Sequence, residues 1–175
     1  MTAISLKIIT EFHRRRTTAH IASVNYFAGL LGGARFPDHD CDKFAEPMLT
    51  PYALKNYSNF HSGFVLSDVL ESEVERMRRQ HHLSMGHHPE SFANVADMPD
   101  DCLTEMVCDW FAANNEQALL QGGSEYSGVM DFYLRYARGA FGFAPRQMGL
   151  ITDLIRELNP RADKEKFLEI WKDVK

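Results

Sequence analysis

Residues 36–44 read FPDHDCDKF, and the doublet His39-Asp40 at the centre of that stretch decides how the rest of the chain is understood. An aspartate buried without a partner carries a large desolvation cost. A divalent cation removes that cost and fixes the neighbouring imidazole at the same time. Working outward, His20 lies upstream and Asp109 downstream. Between the doublet and Asp109, the segment QHHLSMGHHPE (residues 80–90) holds His81, His82, His87 and His88, half of the eight histidines in the chain. The order is H…HD…H…H…D. Imidazoles and carboxylates in that order suit one or two divalent-metal sites inside a helical bundle, and the expected fold class is all-α.

The hydrophobic pattern agrees. A first helix is predicted over Ala3 to Leu31, with His20, Val24, Phe27 and Leu31 on one apolar stripe. Gly32-Gly33 stops it. Asp38 is placed to cap a second, short helix opening at Asp38-His39-Asp40. Pro47 and Pro51 are expected to break the segment that follows, up to about Phe60. A third helix is predicted over Phe64 to Leu83, its charged middle facing water. The stretch His87 to Asp97 reads as loop. A fourth helix starts at Met98-Pro99-Asp100-Asp101 and runs to Leu120, where Gly122-Gly123 ends it. Further helices are placed near Ser127–Ala140, Pro145–Leu158 and Asp163–Val174. The last carries Phe167, Ile170, Trp171 and Val174 on one side. No alternating run is long enough for a strand.

A chain of 175 residues with 45% hydrophobic and 25% charged residues is expected to form one globular domain spanning residues 1–175. A net charge of -5 argues against a broad nucleic-acid-binding surface. Cys41, Cys102 and Cys108 contain no C-x-x-C pair, so reduced thiols and a cytoplasmic setting are expected. The N-terminus places its charges after a short apolar run, unlike a signal peptide. No apolar stretch approaches the ~20 residues of a membrane span.

Asp109 lies inside the fourth helix on the face of Cys102, Met106 and Ala113, and should look toward the core. Glu105, one turn earlier, is a candidate supporting or catalytic acid, with an ordinary surface glutamate as the plain alternative. Of the histidine segment, His81 and one of His87 and His88 are the candidate ligands, and His82 faces outward or supports them. Asp40 is the candidate bridge between two ions.

The ordered set His20, His39-Asp40, Asp109 resembles the HD-domain superfamily of metal-dependent phosphohydrolases, and the added histidines resemble its two-metal branch. His39-Asp40-Cys41-Asp42-Lys43 matches the HD-x-x-K form of some members. The stretches HDCDKF, H-x5-HH-P-E and MP-x4-EMVCDW look most like a group of small HD proteins from phages and bacteria. The resemblance covers about residues 13–115. It implies a first ion held by His20, His39, Asp40 and Asp109. Asp40 would bridge to a second ion held by His81 and His88, with His87 as the competing choice. Mn, Fe, Co, Zn and Mg all suit such a set. Lys43 stands where nucleotidase-like members often have glutamate, which suits a cation that contacts phosphate.

The function so implied is hydrolysis of a phosphate ester or anhydride of a small phosphorylated substrate, a nucleotide or deoxynucleotide, in the cytoplasm (the host cytoplasm for a phage protein). Lys43 and some of Arg14, Arg15, Arg16, Arg78 and Arg79 are candidates to hold phosphate oxygens. Phe36, Phe44, Tyr52, Tyr57, Phe60 and Trp110 are candidates to stack on a base. No G-x-x-x-x-G-K-[ST] loop occurs. Two alternatives remain open: an HD-fold di-iron oxygenase with the same six ligands, and a non-catalytic nucleotide-binding or regulatory protein. A homodimer is a candidate assembly.

Overall fold

A computed structural model describes residues 4–33, 35–123 and 125–174. Among these residues every regular element is helical, so the fold is all-α. Helix α1 (Leu6–Leu30) is the longest element at 25 residues; the predicted start at Ala3 lies outside the described residues. Helix α2 spans Leu49–Phe60, α3 Asp68–Ser84 and α4 Asp100–Leu120. The chain then forms α5 (Val129–Phe132), a π-helical turn (Tyr133–Ala137) and α6 (Arg138–Ala140) in succession. Helices α7 (Pro145–Leu158) and α8 (Lys164–Ile170) complete it.

Helix α1 packs against α4 and α2, α4 against α7, and α2 against α3. The apolar stripe of α1 explains its central place: Ile9, Phe12, Val24, Phe27 and Ala28 are all buried. That stripe belongs to one hydrophobic core whose members run from Ile9 to Val174. The core also takes in polar side chains that tie the helices together. Ser23 Oγ donates to the Ala19 carbonyl and accepts from Trp171 Nε1 at 2.8 Å, which pins the end of α8 to α1. Buried Gln147 of α7 donates to the carbonyls of Val95 and Met98, fixing the approach to α4.

The local signals place several boundaries where they are observed. Pro99 precedes α4 and Pro145 opens α7, positions that need no backbone N–H donor. Gly122 and Gly123 both adopt positive φ after α4, conformations that glycine adopts without a Cβ penalty. Four expectations need correction. The stretch His87 to Asp97 is not all loop, since it holds two 3-10 turns, Pro89–Ser91 and Val95–Asp97. Pro51 does not break α2, because it falls in the first turn, where its missing N–H costs no intrahelical bond. Helix α3 starts at Asp68 rather than Phe64, with Ser67 Oγ accepting from Leu70 N as its cap. Residues 38–40 form a turn rather than a helix start. It leads into a 3-10 helix, Cys41–Phe44, and the Asp38 side chain makes no cap.

Candidate metal centre

The turn owes its shape to Asp40, which adopts left-handed backbone geometry at φ 56°. An L-residue pays roughly 1–2 kcal/mol for this, and such strain persists where surrounding contacts over-determine it. Those contacts come from α1. Buried His13 places Nε2 2.9 Å from the Lys43 carbonyl, and its Nδ1 faces Asn56 Nδ2 at 2.7 Å. Arg14 donates to the Phe44 carbonyl. With the turn held from behind, His39 and Asp40 point the same way, which consecutive residues of an α-helix, about 100° apart, do not.

Four side chains from three elements meet there. His20 comes from α1, His39 and Asp40 from the turn, and Asp109 from α4. His20 Nε2 lies 2.9 Å from Asp109 Oδ1, 3.4 Å from His39 Nε2 and 3.7 Å from Asp40 Oδ2. His39 Nε2 lies 3.9 Å from Asp40 Oδ2 and 3.7 Å from Asp109 Oδ1. Ligand bonds of about 2.1 Å in a tetrahedral site separate donor atoms by roughly 3.4 Å, so these spacings fit one shared cation.

A second group adjoins the first. His81 stands in the last turn of α3, and His87 and His88 follow the break at Met85-Gly86. Asp40 Oδ1 lies 3.1 Å from His81 Nε2 and 3.8 Å from His87 Nε2. His81, His87 and His88 bring ligand atoms within 4.8 Å of one another. Asp40 Oδ1, His81 Nε2, His87 Nε2 and His88 Nε2 are all buried, and beyond the 3.1 Å approach of the first two to each other none has a hydrogen-bond partner. Buried polar atoms are normally satisfied. Four in one place, all donors of the type that binds divalent cations, fit a metal ion.

The opposite nitrogens of His39, His81 and His87 are held by carboxylates. Glu105 Oε1 lies 2.8 Å from His39 Nδ1 and 3.3 Å from His87 Nδ1. Asp42 accepts from His81 Nδ1 at 2.9 Å. Such contacts fix the ring tautomer so that Nε2 presents its lone pair. His82 Nδ1 lies 3.0 Å from Glu90 Oε1, and its ring stacks on that of His88 at 4.0 Å. Burial, helped by the neighbouring His87 and His82, pushes the His88 pKa down, which keeps its lone pair free.

Electrostatics favour a cation. Burial opposes charge on His39, but the nearby Asp40 and Asp109 carboxylates and the bond to Glu105 outweigh it and raise the pKa to about 10. Burial likewise opposes ionisation of Asp40 and Asp109, yet Lys43 and His39 around the first and His20 and His39 around the second hold both well below the usual range. For Glu105, burial is outweighed by the bonds from His39 and His87, which hold it at about 2. In this arrangement Glu105 accepts from two imidazoles.

Lys43 donates to Asp40 Oδ2 at 2.6 Å and lies 4.9 Å from the Tyr52 ring centroid. Four of the five candidate arginines are otherwise engaged: Arg14 with the Phe44 carbonyl, Arg15 with the Asp173 carbonyl, Arg16 with Glu116, and Arg78 with Glu75; Arg79 is exposed on α3. Of the aromatic candidates, Tyr57 is buried in the core, and Phe36 and Phe60 pack against it. Trp110 lines a cavity of about 170 Å³ with Ala113, Asn114, Gln117, Tyr126, Val129 and Phe132.

Sequence reading missed Asp42, Glu116 and His13. Glu105, Asp109 and Glu116 follow an i, i+4, i+11 spacing on α4, which places three acids on one helix face. That spacing was the available signal for Glu116. Nothing local marked His13.

A family of unknown function, DUF5662, has a model that matches residues 9–157, and the chain belongs to that family. No curated protein and no solved structure matches the chain. Among the described residues no helix is long and apolar enough to cross a membrane.

Proposed function

We propose that this protein is a two-metal phosphohydrolase of the HD-domain kind, acting on a phosphate ester or anhydride, with nucleotides as the substrate class. The observation that carries the reading is the division of Asp40 between two donor groups. Its Oδ2 faces His20 and His39, and its Oδ1 faces His81 and His87. A carboxylate so placed suits the bridge of a two-ion site, with His20, His39 and Asp109 on one side and His81, His87 and His88 on the other. Ions held there would supply an activated water near neutral pH and offset negative charge on phosphoryl oxygens.

The chain's own groups divide the remaining work. Glu105 and Asp42 orient three of the imidazoles. Asp109 keeps 19% of its side chain exposed, which leaves the first donor group open to a substrate from that side. Lys43, beside Asp40, is placed to take a phosphate oxygen. Ala113 lies one turn along α4 from Asp109, a rise of about 6 Å. The aromatic-walled cavity it lines is the place we assign to a nucleotide's base.

The test is metal content per chain on untagged protein purified without chelator, beside His81→Ala, followed by a screen of nucleotide hydrolysis with the ion found. Two ions in the native chain, about one in the variant, and phosphate release support the reading. Bound iron with oxygen uptake and no phosphate release replaces it with oxygenase chemistry. No ion after reconstitution overturns it and leaves a helical binding protein.

A further inference from the structure

Three imidazoles of the centre, those of His39, His81 and His87, have a carboxylate within hydrogen-bonding reach of the nitrogen that faces away from it; His88 does not, and neither does His20. Its Nδ1 is buried without a hydrogen-bond partner, and the carboxylate facing it, Glu116 Oε2, stands 3.8 Å away. Glu116 is 1% exposed and tightly held. Arg16 grips it with two bonds, Nε to Oε1 at 2.8 Å and a terminal nitrogen to Oε2 at 2.7 Å, and Gln121 Nε2 donates to Oε1 at 3.0 Å. A buried ion pair of this kind gives little net stability over well-packed apolar residues. Its place in the core calls for another reason.

We propose that the Arg16–Glu116 pair positions His20 as a metal ligand, an inference that rests on the two-ion reading above. To offer Nε2 to a cation, a neutral imidazole carries its proton on Nδ1. A buried N–H needs an acceptor. Glu116 Oε2 is the carboxylate oxygen turned toward that nitrogen, and a movement of about 1 Å brings the two into hydrogen-bond range. The architecture favours the contact. Arg16 and His20 are one turn apart on α1, Asp109 and Glu116 two turns apart on α4, and the packing of these helices sets both ends of the chain Asp109–His20–Glu116–Arg16. Arg16 thereby acts through Glu116, holding the carboxylate that holds the ligand.

The experiment titrates zinc against a chromogenic chelator in the full-length protein, comparing wild type with Glu116→Gln and Arg16→Lys, and records melting temperature alongside. The expected result is a 10–100-fold loss of affinity for one ion in Glu116→Gln, with the second ion, the one removed by His81→Ala, bound as in wild type. Arg16→Lys keeps the charge but loses the paired grip, and should weaken the same ion in the same direction by a smaller factor. A merely structural pair would weaken both ions together or neither; either outcome in a folded variant overturns the proposal. If Glu116→Gln does not fold, unchanged affinity in Arg16→Lys overturns it alone. Wild-type protein that binds no zinc instead removes the two-ion reading, a result distinct from a wild type with two ions and indifferent variants.

Discussion

Glu105 holds His39 by a 2.8 Å contact between Oε1 and Nδ1, and the same oxygen stands 3.3 Å from His87 Nδ1. One carboxylate therefore steadies a ring in each donor group. Glu105→Gln should weaken both ions, each by about tenfold or more, in contrast to the one-ion effect expected at Glu116. Chelator competition separates the cases. Loss of one ion alone would mean that Glu105 serves a single imidazole.

Much of this fold was legible in the sequence, because helix ends are marked by residues with one physical use. Pro145 opens α7 and Pro99 precedes α4, and the glycines after α4 adopt the positive φ that ends it. The turn at residues 38–40 was not legible. An aspartate in left-handed geometry is stabilised by His13 and Arg14 from another element, and no local pattern reports that. The histidines and acids of the centre could be named from their chemistry, since such groups are costly to bury unpaired. Of the carboxylates behind them, Glu105 could be named from its place one turn before Asp109, but Asp42 and Glu116 were missed, because they gain their partners only when α1, α3 and α4 pack.

Lys43 bonds Asp40 but is otherwise turned toward the Tyr52 ring. If it takes a phosphate oxygen during turnover, Lys43→Ala should raise KM by about 10–100-fold, the range of one charge-assisted hydrogen bond, with metal content unchanged. Steady-state kinetics beside elemental analysis checks this. An unchanged KM would return Lys43 to a local role on the turn.

Buried His13 titrates far from its usual range. Burial, with Arg16, Lys43 and Arg14 nearby, outweighs the backbone bond to Lys43 and lowers its pKa to about 4. The unfolded chain then binds a proton at about pH 6.5 that the folded chain refuses until about pH 4. Stability from this group is full above pH 6.5 and falls as the pH drops toward 4, by about 2 kcal/mol at pH 5. Melting temperatures at pH 7 and pH 5 should show a smaller acid loss in His13→Gln than in wild type. Equal losses would place the acid sensitivity elsewhere.

Ala113 lines the cavity beside Trp110. Ala113→Leu should fill part of it and lower kcat/KM for nucleoside monophosphates about tenfold, while ribose 5-phosphate, which has no base to place there, is turned over as before. Parallel loss on both substrates would remove the cavity from the substrate's path.

His20 and Asp109 touch across 89 positions of sequence. An ion clasped between them would close that stretch of chain into a ring, as a removable cross-link does. Because the unfolded chain has no such site, the ion would stabilise the folded chain alone, so a chelator would act as a denaturant on α1 through α4. Helices α7 and α8, which lie outside the ring, would feel the loss only through their packing on it.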